Sequence, residues 1–170
     1  MATGQVDSRR RRLIRPTVRL QVIRTGKVTQ VGLAPIARDY RKRLGAFLKT
    51  EELEIRAEAG RDKRNSGKHS VPLYSPSPGE FLILLDERGK HWTSQQLAAK
   101  LQVWIDDPRI KTLSFLIGPP YGFDDATRAV ASETWSLSPL TIPSDFAWTL
   151  VWEQLYRAMT ILKGMPYHHD

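Results

Sequence analysis

The chain of 170 residues predicts an α/β fold in which a mostly parallel sheet is flanked by helices. Two observations carry that prediction. Phe81–Leu85 and Thr112–Ile117 are short, continuously apolar runs, the pattern of strands covered on both faces. Around them, segments of strand character alternate with segments of helical spacing, which is the signature of βα units. A chain of this length makes one ordinary domain, and such a domain buries roughly 70% of its unfolded surface. With 41% hydrophobic and 26% charged residues the composition is globular and argues against wholesale disorder.

The elements follow in order. Val18 to Arg24 sets Val18, Leu20 and Val22 against Arg19, Gln21 and Ile23 and reads as the first strand. From Leu33 to Lys49, the apolar residues Leu33, Ile36, Tyr40, Leu44, Phe47 and Leu48 fall on one helical face, with Pro35 tolerated in the first turn. Glu51–Glu58 alternates again, a second strand. Residues 60–79 carry three prolines and four bases and read as a long basic loop, a kind of segment that is usually functional or mobile. Phe81–Leu85 is the third strand. Ser94–Asp106 is a helix with Leu97, Leu101, Trp104 and Ile105 inward, stopped by Pro108. Thr112–Ile117 is a strand, Asp124–Glu133 a short helix and Trp135–Leu140 a short strand. A long last helix then opens at Pro143 and Ser144, with Ser144 expected as N-cap and Asp145 favourable to the helix dipole. Gly164 and Pro166 close it.

That last helix is apolar around nearly its whole circumference: Phe146, Trp148, Leu150, Val151, Trp152, Leu155, Tyr156, Met159, Ile161 and Leu162. A helix of this kind is buried on all sides. A small domain has little material to cover the second side, so a second copy of the chain is the expected cover, with the long loop as the alternative, and Trp152 is expected at the contact.

Charge is uneven. Residues 1–17 hold five arginines and one acid; residues 18–80 hold thirteen bases and seven acids; residues 81–170 hold eight bases and ten acids. A basic N-terminal half beside a mildly acidic C-terminal half suggests that one part meets a polyanion. Arg38, Arg41 and Lys42 form a ridge on the first helix, and Arg61, Lys63 and Arg64 stand in the long loop; these six are the candidate contacts to a nucleic acid. The leader 1–17 lacks the apolar stretch of a secretory signal and reads as a disordered arm rather than an organellar address. A cytoplasmic protein is expected.

Several chemistries are excluded or unsupported. With no cysteine there is no disulfide, thiolate nucleophile or Cys-based metal site. No apolar run reaches the roughly 18 residues of a membrane span. No glycine-rich dinucleotide motif follows the first strand and no Walker A lysine motif is present. His168 and His169 are adjacent rather than at helical metal-ligand spacing, so no metal is expected. Ligands of open parallel sheets bind beyond the carboxyl ends of the strands. Three such ends carry unusual sequence: Leu85–Gly89, Gly118–Gly122 and Leu137–Ile142.

In order, Leu85-Asp-Glu-Arg-Gly89, Phe115-Leu-Ile-Gly-Pro-Pro-Tyr-Gly122, Trp135-Ser-Leu-Ser-Pro-Leu-Thr141, Glu153-Gln-Leu-Tyr-Arg-Ala158 and Pro166-Tyr-His-His169 resemble the RlmH family of SPOUT methyltransferases. The likeness is strong over residues 81–170 and looser over 18–58. It implies one SPOUT domain over 18–170 with a C-terminal trefoil knot in the region of 81–170, an obligate homodimer, and methylation of N3 of a pseudouridine in 23S ribosomal RNA. S-adenosylmethionine is implied in the knot, against Leu85, Gly118, Leu137, Ser138, Pro139, Leu140, Thr141 and Ile142. Tyr167, His168 and His169 are implied on the target-nucleotide side as the catalytic group.

This chain departs from the family pattern at four places. Pro119 replaces a glycine, Ser144 a histidine, Trp148 an arginine and His169 a basic tail residue. Those departures leave a second reading, a noncatalytic RNA-binding relative on the same fold. An α/β enzyme acting on another small anionic substrate is a third.

Overall fold

The computed structural model describes residues 18–56 and 71–169. The leader and the bases Arg61, Lys63 and Arg64 lie outside the described residues. Five strands and four helices follow one another: β1 (Arg19–Thr25), α1 (Leu33–Leu44), β2 (Lys49–Ile55), β3 (Glu80–His91), α2 (Ser94–Asp106), β4 (Thr112–Ile117), α3 (Asp125–Ala129), β5 (Glu133–Ser136) and α4 (Ser144–Leu162). The strands form one sheet in the order β2-β1-β4-β3-β5, and every pairing is parallel. No helix among the described residues is long and apolar enough to cross a membrane.

The apolar runs explain the layering. Leu113, Phe115 and Ile117 of β4 face one side with Leu20, Val22 and Ile83, and three helices cover them there. Leu116 faces the other side with Ile23, Leu82 and Leu84, and Tyr74, Phe123 and Val130 cover that cluster. Both faces of the central strands are therefore dry, as their unbroken hydrophobicity requires.

Helix α4 lies across the sheet with α1 on one flank and α2 on the other. Those two helices absorb most of its apolar circumference, which corrects the expectation of Trp152 at a contact with a second copy. Trp152 is fully buried within the protomer and Val151, Leu155 and Ala158 with it. Only Phe146 and Leu150 remain as large exposed apolar residues on this helix, spaced by four and so on one stripe.

Several boundaries shift for local reasons. Helix α1 stops at Leu44, and Phe47 reaches the core from the turn that follows, against the ring of Tyr156 at 6.2 Å. Pro143, not Ser144, occupies the cap position of α4 and makes no side-chain capping bond. Helix α3 and strand β5 are each shorter than the sequence patterns suggested, ending at Ala129 and Ser136. Strand β3, conversely, does not end at Leu85. It pairs with β5 through Leu85↔Trp135, bulges over four residues, and resumes at Lys90↔Trp135 and His91↔Ser136.

Gly89 closes that bulge. A methyl group there would stand 2.7 Å from the carbonyl carbon of Trp135 and 2.8 Å from the amide nitrogens of Trp135 and Ser136. These are main-chain atoms that cannot turn aside. Gly89→Ala should therefore push β3 from β5 and cost about 1–3 kcal/mol, the usual range of overpacking. Urea unfolding of the purified variant measures this; an unchanged midpoint would contradict the contact.

Candidate cofactor cavity and C-terminal tail

Because β3, β4 and β5 are adjacent and parallel, their carboxyl ends open on the same edge, and the segments that follow enclose a cavity of about 260 Å³. The β3 bulge contributes Leu85, Asp86, Glu87 and Arg88. The turn after β4 contributes Gly118 to Phe123, and the loop after β5 contributes Leu137, Ser138, Leu140, Thr141 and Ile142. Ser144 and Ala147 of α4 and Arg128 of α3 complete the wall. Of the eight residues expected to hold a cofactor, all but Pro139 line this one space.

Local chemistry shapes both loops. Ser136 donates its hydroxyl to the carbonyl of Ser138 at 2.9 Å, and the Ser138 hydroxyl accepts the Leu140 amide at 3.0 Å. Such short side-chain to main-chain bonds replace regular pairing and hold a loop in shape. In the other loop, the Phe123 ring comes within 2.7 Å of where a Cβ on Gly118 would sit, so any side chain there would have to move that ring. Gly122 has φ +78°, the left-handed region that glycine alone enters at no steric cost. Pro119 is buried, and the Gly122 amide donates to its carbonyl at 2.9 Å, closing the turn.

Asp145, one residue past Ser144, does more than favour the helix dipole. Its Oδ2 accepts the amides of Thr29 and Gln30 and the Thr29 hydroxyl, each at 2.8 Å. The β1–α1 loop is thereby fastened to the start of α4 beside the cavity. Burial by itself would raise the carboxyl pKa. The bonds from Gln30 and Thr29, helped by the Arg24 charge, outweigh it and hold the pKa below the usual value.

The tail residues lie elsewhere. Tyr167 donates its hydroxyl to Glu153 Oε1 at 3.0 Å, with the Tyr40 hydroxyl at 3.1 Å, and its ring packs edge-on against Tyr156 at 4.9 Å. The Arg157 guanidinium covers the Tyr167 ring at 4.7 Å, binds Glu153 at 2.6 Å and stands 3.4 Å from His168 Nδ1. His169 is exposed. Burial first, then the bonds to Tyr40 and Glu153, push the Tyr167 pKa well above that of a free phenol. At neutral pH this hydroxyl is a donor. None of the three tail residues lines the cavity.

On α1, Arg38 and Lys42 are exposed. Arg41 is built into the fold, 3.4 Å from Glu52 and stacked over the Trp152 ring at 5.7 Å. Trp148, at the position of a family arginine, is buried with the Arg24 guanidinium 5.6 Å from its ring centre. Phe123 and Arg128 belong to the cavity cluster without any sequence expectation; Tyr40 was expected on the apolar face of α1, and Glu153 and Arg157 stood in a quoted motif with no role assigned. The i,i+4 spacing of Glu153 and Arg157 ahead of an aromatic tail was the local signal that they pair.

The family model described as "Predicted SPOUT methyltransferase" matches residues 18–168. The chain belongs to the SPOUT methyltransferase family. Among curated SPOUT relatives it is similar to the ribosomal RNA large subunit methyltransferase H of Maridesulfovibrio salexigens, 39% identical over 156 residues, with 89% of this chain and 98% of that protein covered. The proteins of the same name from Gloeobacter violaceus and Pseudomonas putida are 34% and 37% identical, each with 89% of this chain and 99% of the relative covered. Among solved structures, that of the SpoU methyltransferase AviRb from Streptomyces viridochromogenes, in complex with AdoMet, aligns with a TM-score of 0.40 at 15% identity. That alignment covers 96% of this chain and 67% of AviRb.

The Asp145 clasp gives this SPOUT chain a pH signature. A carboxyl whose pKa is lowered on folding stabilises above its unfolded value, about 3.9, and the contribution disappears as pH falls through the folded value. Asp145→Ala leaves two loop amides without their acceptor and should cost about 1–3 kcal/mol at pH 7. The gap to wild type should shrink as pH falls from about 4, where the unfolded carboxyl protonates, down through the lower folded value. Chemical denaturation at stepped pH reads both; a gap independent of pH would contradict the clasp.

Proposed function

We propose that this chain methylates N3 of a pseudouridine in 23S ribosomal RNA, using S-adenosylmethionine, as a cytoplasmic homodimer whose single domain over 18–170 ends in a trefoil knot. The observation that carries the reading is the convergence of seven cofactor-motif residues on one cavity at the sheet's carboxyl edge. Relatives named for ribosomal RNA methylation match nearly end to end, which supports the substrate class.

The cavity fits the cofactor in kind. Leu85, Ile117, Leu137 and Ile142 offer apolar walls for an adenine ring, and the loop main chain of 137–142 offers donors and acceptors for its edge. The cofactor supplies an electrophilic methyl group on its sulfonium. What remains for the chain is to bring a nitrogen in line and take its proton. Tyr167 is held protonated and would donate to the base or stack on it, leaving His169, exposed at the tail, as the group to accept or stabilise the proton. Arg38 and Lys42 on α1, together with Arg61, Lys63 and Arg64, would hold phosphates without reading sequence. Arg41 would act from a more restrained position, since Glu52 already engages it.

Helix α4 acts as a ruler. At 1.5 Å per residue, Glu153 and Arg157 lie about 14 and 20 Å along it from Ser144. A tail docked on them is too far to serve the cavity of its own protomer. A second copy removes the difficulty, because Phe146 and Leu150 continue the same stripe as Glu153 and Arg157 and leave apolar surface for a partner. The tail of one protomer would then meet the cavity of the other.

Three experiments test this reading. The wild-type protein should transfer methyl to 23S RNA in ribosomes from a strain lacking the modification, located by mass spectrometry. No transfer would leave the noncatalytic reading. Leu150→Glu should give a folded, inactive monomer by light scattering, since an unpaired carboxylate at a closed interface costs several kcal/mol. In contrast, Trp152→Glu should unfold the protomer. Co-expressing a chain lacking 167–170 with a Gly118→Val chain should restore about a quarter of wild-type activity, one intact site in the mixed half of the dimers. Gly118→Val alone should displace Phe123 and weaken S-adenosylhomocysteine binding about tenfold or more. No recovery in the mixed dimers would place tail and cavity in the same protomer.

A further inference from the structure

The cavity wall contains an ion pair that the motifs do not explain. Arg128 of α3 reaches Asp86 of the β3 bulge through Nη1 and Oδ2. The Asp86 side chain is 4% exposed, and its Oδ1 accepts the Arg88 amide at 2.9 Å. Both residues line the cavity. Stability is a weak reason to keep such a pair, because desolvating two charges offsets most of their attraction. The geometry suggests a different use. The Arg128 side chain is 25% exposed, and among the described residues its ion pair is with Asp86, so part of the guanidinium remains accessible. A fork held on one side and open on the other is a receptor for a planar anion.

We propose that Arg128 binds the α-carboxylate of the methionine moiety of S-adenosylmethionine, with Asp86 orienting the guanidinium; the assignment rests on the cofactor reading above. Charge selects the group. The sulfonium and the α-ammonium are cations, the adenine and ribose are neutral, and only the carboxylate matches a fixed cation in the wall. Arg88 also lines the cavity, but it is exposed on the bulge, and ordering a long mobile side chain costs more than using one already held.

Calorimetry with S-adenosylmethionine and its decarboxylated analogue tests the assignment, because the two probes differ only in the carboxylate. Wild type should prefer the intact cofactor by about tenfold or more, the range of a hydrogen-bonded charge pair. Arg128→Gln should abolish the preference by weakening the intact cofactor alone, Arg128→Lys should recover part of it, and Asp86→Asn should reduce it less than Arg128→Gln. Equal loss of both probes in Arg128→Gln would make the residue merely structural and overturn the assignment. So would a wild type that binds both probes alike, a result that needs no variant to fold. Wild type binding neither probe would overturn the cofactor reading itself, and the assignment with it.

Discussion

At Gly89 the backbone of β3 runs so close to β5 that no side chain fits between them. The site depends on that approach. It lets β3 bulge outward after Leu85 and still rejoin the sheet at Lys90, so that Asp86, Glu87 and Arg88 project at the strand's end without ending the strand. It also fixes where β5 stops, and hence where the Ser136–Leu140 turn begins. Bulges of this sort commonly sit beside binding sites because they re-aim side chains while keeping the sheet intact. Here the re-aimed residues form one wall of the cavity, and the turn after β5 forms another.

How much of this the sequence disclosed depends on the range of each contact. Strand character at Phe81–Leu85 and Thr112–Ile117 was legible because burial on both faces leaves a local mark, an unbroken apolar run. The loops that line the cavity were legible as glycine, proline and serine clusters after strands, and the order of motifs tied them to a family. Gly89 stood in a quoted motif, yet its reason lies 46 residues away in β5. Phe123 and Arg128 gave no local sign, since a ring against Gly118 and a guanidinium against Asp86 are facts of tertiary packing. Trp152 shows the opposite failure. An all-round apolar helix says that something covers every face, but composition does not say whether that something is α1, α2 or another molecule.

Asp145 belongs to the same class of hidden contacts. Read locally, an acid in the first turn of a helix is a dipole partner worth a fraction of a kcal/mol. In the fold, its carboxylate instead gathers three donors from a loop more than a hundred residues earlier. The consequence reaches the cavity. Ser144 and Ala147 line it, and Asp145 between them binds the first βα loop, so the start of α4 is held from the sheet side and from the α1 side together. A wall held on two sides is pre-organised, which lowers the ordering cost of binding.

The electrostatic layout divides labour along α4. Near its start the acids are partnered and inward: Asp145 with the loop amides, Asp86 with Arg128 in the cavity wall. Near its end, Glu153, Arg157 and Tyr167 form a second paired cluster, half-buried and facing outward with His168. The exposed bases of α1 stand beside that second cluster, through Tyr40 and Arg43. A polyanion drawn to those bases would therefore arrive at the tail, not at the cavity, and phosphates would meet cations without crossing the acidic C-terminal half of the chain. Such a separation suits a reaction with one small cationic reactant and one large anionic one. Each is met by a surface of the matching sign, at a different place along the same helix.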